Sequence, residues 1–308
     1  MSPIFSPSHT NGLVVLSFGA GQDSTAILYR LIRDPKWRVY KLRGSRLVVV
    51  FSDTGNEHPE TYEHLASIKR ICHAYGVEFH HLTPDLGYHS EAWQSLEHQF
   101  KTNGTIAMKR VKSCTDNLKI KPIYRWLDHY CSKLLGDESR SHQGKPHIQA
   151  FAKLYGPIIM LIGFTAEKNE IKRARKAKRA GAELWWQSIQ KEFPLIWSRW
   201  SRSDCINYME STGWKSCPPS NCMMCPNVSK QELIYLWRFH KKEFIRWAKH
   251  ERIKLKKNAT KERNVGALGN QRDLITELRA ALNKFGHWSD DQLKEYKHSH
   301  GHCISSGL

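Results

Sequence analysis

Two groups of residues in this chain are spaced for chemistry. The first is Ser17-Phe18-Gly19-Ala20-Gly21-Gln22-Asp23-Ser24-Thr25, set between a short apolar run and an amphipathic one. A glycine-rich turn after a buried strand lets backbone N–H groups approach a phosphate, and the helix N-terminus that follows adds partial positive charge. Ser17, Ser24 and Thr25 add hydroxyl donors. The run lacks both the Gly-Lys-Ser/Thr ending of a Walker loop and the G-x-G-x-x-G of a dinucleotide fingerprint. The plain alternative is a serine-capped turn without a ligand. The second group is Cys217-Pro-Pro-Ser-Asn-Cys222-Met-Met-Cys225-Pro226, three thiols in nine residues. A C-x-x-C turn brings two sulfurs to one centre, as zinc and iron–sulfur sites both require. Three thiolates are one short of a closed site. Cys205 and Cys114 are candidate fourth ligands, a histidine is another, and an iron left open would bind sulfide. A redox or persulfide pair and plain unliganded thiols are the remaining readings, although a proline-flanked polar segment makes a poor core.

Positioning such groups needs a scaffold, and the apolar runs supply one. Leu13 to Leu16, Leu47 to Phe51, Val77 to Leu82 and Ile158 to Ile162 read as strands. Ile27, Leu28, Leu31 and Ile32 fall at helical spacing after the glycine loop, and Pro59 opens a helix with Tyr62, Leu65, Ile68 and Cys72 on one side. Strand and helix in alternation predict an α/β fold, a doubly wound parallel sheet, joined to a mainly helical, cysteine-containing C-terminal region. The expected division is a phosphate-binding domain over 1–190, with an insertion at about 90–155, and a helical basic region with the cysteine cluster over 191–308.

The chain has 308 residues, 40% hydrophobic and 25% charged, which suits a folded protein rather than a disordered one. No run reaches the roughly 18 to 20 apolar residues of a membrane span, and the N-terminal stretch has neither a basic nor an apolar signal region. A cytoplasmic location without membrane contact is expected, with the eight cysteines as thiols or metal ligands rather than disulfides. The net charge of +19 is uneven: Ile171 to Arg179 carries six cations in nine residues, and a second basic stretch, Arg238 to Lys257, interleaves with Trp237, Phe239, Phe244 and Trp247. Nucleic acid is the polyanionic partner this suggests, against the plain alternative of solvated helix faces.

The loop resembles that of the pyrophosphate-loop ATP pyrophosphatases, the adenine-nucleotide α-hydrolase group that includes the phosphoadenosine phosphosulfate reductases. Ser17, Phe18, Gly21, Asp23, Ser24 and Thr25 match, while Gly19 and Ala20 stand for the family's serine and first glycine. Further matches extend the resemblance from about Leu13 to about Lys249: Asp53-Thr54-Gly55, the Cys114, Thr115, Lys119 and Pro122 of a Cys-Thr…Lys-Ile…Pro segment, and Gly163, Glu167 and Arg173 after the fourth strand. The resemblance implies ATP and Mg2+ as ligands, held by Ser17, Phe18, Gly19, Gly21, Gln22, Asp23, Ser24, Thr25, Asp53, Thr54, Gly55, Gly163 and Arg173. It implies catalytic roles for Asp23, Ser24, Lys119 and Cys114. An iron–sulfur cluster, with Zn2+ as the alternative, is expected on Cys217, Cys222, Cys225 and Cys205.

The implied reaction cleaves ATP between the α and β phosphates, adenylates an oxygen and prepares it for replacement by sulfur. The reading is closest to the pyrophosphatase subunits of DNA phosphorothioation, with DNA as the favoured nucleic acid, a cysteine desulfurase or other sulfur donor as partner, and further modification-complex subunits. Alternatives are transfer-RNA or base thiolation, a non-catalytic nucleic-acid-binding module, and a phosphoadenosine phosphosulfate reductase. The last usually carries Glu-Cys-Gly-Ile/Leu-His near its end, where this chain has Gly-His-Cys303-Ile-Ser.

Overall fold

A computed structural model describes residues 12–109, 113–137, 139, 144–179, 184–214 and 217–300. Cys303 lies outside them. The unbroken Val, Leu and Ile runs form strands buried on both faces, as parallel sheets demand. The strands are β1 (Leu13–Ser17), β2 (Arg46–Ser52), β3 (Glu78–Leu82), β4 (Ile158–Ile162) and β5 (Ile189–Glu192), and all pairings are parallel in the order β3-β2-β1-β4-β5. The first four correspond to the four apolar runs, although β3, Glu-Phe-His-His-Leu, is only half-buried. β5, an edge strand of sequence Ile-Gln-Lys-Glu, carries no such run and was not anticipated.

Helices fill the connections: α1 (Gln22–Arg33), α2 (Pro35–Leu42), α3 (Pro59–Tyr75), α4 (Leu96–Asn103), α5 (Ser113–Thr115), α6 (Lys121–Leu134), α7 (Pro146–Tyr155), α8 (Lys168–Arg179), α9 (Pro194–Trp197) and α10 (Arg202–Ser211). A C-terminal set follows: α11 (Lys230–Phe239), α12 (Lys241–Lys257), α13 (Leu274–Phe285) and α14 (Asp290–His300). Alternation along β1 and β2 sorts the core into two layers. Val14, Leu16, Val49 and Phe51 pack with α1 and α3, and with Cys205 and Met209 of α10. Leu13, Val15, Val48 and Val50 pack with Tyr124, Leu127, Ile148 and Phe151 of α6 and α7.

A third apolar cluster joins Leu96, Phe100 and Leu118 to Leu233, Trp247, Leu274 and Leu293. The segment read as an insertion therefore shares a core with the C-terminal helices. Trp247 is fully buried and Phe244 is 2% exposed, so these aromatics between the α12 cations are core rather than a stacking platform. The aromatic face of the second basic stretch is thus that of an amphipathic helix, while Lys241, Lys242, Arg252, Lys256 and Lys257 are exposed.

Candidate active site

Reversal of strand order beside β1 leaves a crevice at the carboxyl ends of β1 and β4, the place where open α/β sheets bind ligands. Ser17, Phe18, Gly19, Gly21, Gln22, Asp23 and Ser24 line it from one side, Ile162, Gly163 and Phe164 from the other, in a cleft of about 920 Å³. Gly163 is needed for this approach. A Cβ there would come within 2.9 Å of the Ser24 amide nitrogen and 3.1 Å of the Asp23 carbonyl carbon. The loop holds its own shape: the Gly19 amide donates to Ser24 Oγ at 3.2 Å, and Ser24 Oγ donates to the Gly21 carbonyl at 3.2 Å. Ala20 takes a left-handed conformation, φ +55°, where the family uses glycine. Helix α1 starts at Gly21 without a side-chain cap, so the amides of its first turn face the cleft uncapped.

Three cations surround the loop. Lys119 and Arg173 line the cleft, and so does Arg202, a residue absent from the sequence-based expectations. Arg202 meets Asp23 Oδ2 at 3.4 Å and Glu167 Oε2 at 3.7 Å. No motif marks Arg202, and only the serine cap and Asp204 that start α10 could have hinted that a helix begins there. Asp23 Oδ1 and Gln22 Oε1 are buried without a hydrogen-bond partner among the described residues. Burial, only partly offset by Arg202, pushes the Asp23 carboxyl up to about 6. Arg173 pairs with Glu170, also in the cleft wall, and lies over the Phe164 ring at 4.5 Å.

Some expected residues sit elsewhere. Thr25 is fully buried behind the loop, hydrogen-bonded to His64 Nε2 at 2.9 Å. At the end of β2 it is Phe51 and Ser52 that line the cleft. The Asp53 side chain instead accepts from the Gly55 amide and the Tyr62 hydroxyl, both at 2.8 Å, and meets His81 Nε2 at 3.1 Å. Burial alone would raise its carboxyl, yet His81, the Gly55 amide and Tyr62 hold it below its ordinary value. Asp53 organises the turn, and Gly55, φ +67°, packs where a Cβ would meet Ser95 at 2.6 Å.

The cysteines divide into two groups. Cys114, Cys222 and Cys225 line one pocket of about 390 Å³, together with Thr54, Thr115, Leu118 and Lys119. Cys217 and Cys205, both expected beside Cys222 and Cys225, lie in the core against α1 instead. Cys217 donates to Thr25 Oγ1 at 3.5 Å, and burial pushes its thiol up to about 12. Burial raises the Cys205 thiol as well. Without a metal beside them, such thiols keep their protons and make poor nucleophiles. Cys114, counted as catalytic and as one of two candidate fourth ligands, is the residue the fold brings to Cys222 and Cys225.

Backbone bonds fix this arrangement. Cys222 bridges Glu57 in antiparallel fashion, the Met223 amide donates to the Asn56 carbonyl at 2.9 Å, and the Met224 amide donates to Asn56 Oδ1 at 3.1 Å. The preceding turn lies on the glycine-rich loop, since a Cβ on Gly21 would meet the Ser220 nitrogen at 2.9 Å. Glu57 joins the parts: its Oε1 accepts from Lys119 Nζ at 3.1 Å, from Thr54 Oγ1 at 3.1 Å and from Cys222 Sγ at 3.7 Å. Thr115 and Lys119 line both the cleft and the cysteine pocket. The α8 cations Lys168, Lys172, Arg175, Lys176 and Lys178 are exposed, on the helix whose Arg173 lines the cleft. Among the described residues, no helix is long and apolar enough to cross a membrane.

Residues 13–218 match the family model of the phosphoadenosine phosphosulfate reductase domain. No curated protein matches the chain. Among solved structures, the U34-tRNA thiolase NcsA from Methanococcus maripaludis with its [4Fe-4S] cluster aligns at 14% identity and a TM-score of 0.42, covering 93% of this chain and 77% of that one.

Proposed function

The chain belongs to the phosphoadenosine phosphosulfate reductase domain family, and on that premise we propose that it is an ATP pyrophosphatase that adenylates a nucleic-acid oxygen for replacement by sulfur. The carrying observation is that Thr115 and Lys119 line both the phosphate cleft and the three-cysteine pocket. An activated oxygen in the first is next to a sulfur source in the second. Residues 1–190 supply most of the ATP site and the exposed cations of α8, and 191–308 supply Arg202 and two of the three cysteines.

ATP is the substrate. Its β and γ phosphates lie over the loop, on the amides that open α1, with Lys119, Arg173 and Arg202 around them. An anionic acceptor oxygen attacks the α phosphorus, the α–β bond breaks, and pyrophosphate leaves with the electron pair. Fixed donors aimed at that developing charge supply the catalysis, since such transfer depends on positioning and electrostatics. Sulfide then attacks the adenylated centre, forming the bond to sulfur while AMP departs with the acceptor oxygen. Asp23 fits Mg2+: a carboxylate oxygen buried without a partner, on a group already short of compensation, is what a cation satisfies. Held there by Asp23, Mg2+ would neutralise phosphate charge.

The thiols of Cys114, Cys222 and Cys225 fit an iron–sulfur cluster, which supplies an iron with a position open to sulfur. Among the described residues, the set of three ligand atoms lying within 4.8 Å of one another is formed by His58, Glu60 and His240 rather than by these cysteines. Zn2+ is the alternative occupant of these three thiols, and iron and acid-labile sulfide analysis separates the two. The favoured acceptor is a DNA phosphate, reached along the exposed cations of α8, with a cysteine desulfurase as sulfur donor.

The test is pyrophosphate release from ATP by the anaerobically purified chain, with duplex DNA, single-stranded DNA or transfer RNA, beside Asp23→Asn. Pyrophosphate and AMP formation that needs Asp23 supports the reading, and the stimulating nucleic acid identifies the acceptor. No release with any of them overturns it. The family match itself favours one second reading, reduction of phosphoadenosine phosphosulfate, which predicts thioredoxin-dependent sulfite release without pyrophosphate.

A further inference from the structure

His58 and Glu60 stand at the start of α3, while His240 occupies the junction of α11 and α12. The fold brings one ligand atom from each of the three to within 4.8 Å of the others. His240 Nε2 is 3.9 Å from Glu60 Oε1, and the Tyr235 hydroxyl donates to that same carboxylate oxygen at 3.3 Å. His58 is 6% exposed. Its Nδ1 and the Nε2 of His240 are both buried without a hydrogen-bond partner among the described residues. Two adjacent imidazoles, each with an unmatched ring nitrogen, form a costly arrangement for a protein interior. A bound cation would remove that cost.

We propose that His58, Glu60 and His240 bind one divalent transition-metal ion of the zinc class, at a site separate from the cysteine pocket. Two imidazole nitrogens and a carboxylate oxygen suit Zn2+, Co2+ or Ni2+, whereas Mg2+ and Ca2+ prefer oxygen alone. Bonds of about 2.0 to 2.1 Å in a tetrahedral site would draw the three ligand atoms together by side-chain rotation. The Tyr235 hydroxyl is the outer partner that orients the carboxylate. Two cations share the pocket with His58 and Glu60: Lys297, which bonds Asn221 and Glu232, and Lys294, which pairs with Asp291 at 3.6 Å. Pro218 and Pro219 close another side of that pocket, and Pro219 also lines the phosphate cleft. The ion would thus tie the α/β domain to the C-terminal helices beside the turn that carries the cysteines.

The probe is Co2+, titrated anaerobically into the full-length chain, because its spectrum reports its ligands. The expected result is one equivalent bound with weak visible bands, no intense sulfur-to-cobalt charge transfer in the near ultraviolet, and displacement by Zn2+. His240→Ala and Glu60→Gln, one on each side of the junction, should each weaken Co2+ at least about 100-fold, with circular dichroism of the metal-free variants showing that they are folded. Absence of visible bands at excess cobalt would overturn the proposal. So would a thiolate-type spectrum, or titrations of folded variants that match the unaltered chain.

Discussion

Asp23 lines the cleft beside Arg202. Buried and only partly compensated by Arg202, its carboxyl rises from 3.8 to about 6. The folded chain therefore holds this proton more tightly than the unfolded one, so the contribution to stability is largest below about pH 4 and is lost as pH rises through about 6. The ionised group costs the fold roughly 3 kcal/mol. Asp23→Asn is expected to raise stability at pH 7.5 by up to that amount and to remove this component of the pH dependence, while abolishing pyrophosphate release. Denaturant melts at pH 4.5 and 7.5 beside the activity assay check both halves, and a less stable Asn variant would contradict the account. Lys119 has the opposite character. Its partner Glu57 is fully buried, so Lys119→Ala should cost about 3 to 5 kcal/mol by stranding that carboxylate, as well as lowering kcat by about 100-fold or more. Lys119→Ala, Glu57→Gln in combination should recover stability but not kcat.

At the scale of elements, the approach of β4 to the start of α1 sets the shape of the loop. Gly163→Ala places a methyl against the Ser24 amide, and neither partner can yield without moving the loop. The expected outcome is a stability loss of about 1 to 3 kcal/mol with at least a tenfold rise in KM for ATP. A variant with unchanged KM would show that the loop tolerates the shift. The cysteine segment tests the other wall. Cys114→Ser should lose iron and acid-labile sulfide yet keep ATP cleavage, whereas Cys217→Ser, removed from a hydrophobic layer, should keep its iron. Iron loss from Cys217→Ser alone would return that residue to the ligand set.

Over the whole molecule, charge is distributed by helix. The exposed cations of α8 continue outward from the cleft, while those of α12 back onto an apolar core whose centre is Trp247. Charge reversal at Lys172, Arg175 and Lys176 should weaken DNA binding and flatten its dependence on salt, because fewer counterions are released. Titrations at two or more salt concentrations measure that slope. An unchanged slope would place the nucleic-acid path elsewhere.

Local sequence determined what needs only neighbours along the chain. The four apolar strands, the glycine loop and the helix after it follow from residue type and spacing, and so does the parallel sheet that places the loop at its carboxyl edge. Tertiary structure alone decided the rest. Arg202 reaches Asp23 across 179 positions, and β5 is a strand because β4 offers it an edge rather than because Ile-Gln-Lys-Glu favours one. The grouping of the cysteines is the clearest case. Proximity in sequence put Cys217 with Cys222 and Cys225, but the backbone bonds to Asn56 and Glu57 turn the segment after Cys217. Cys217 is left in the core, and Cys114, more than a hundred residues earlier, meets the other two because distance along a folded chain does not measure distance in space.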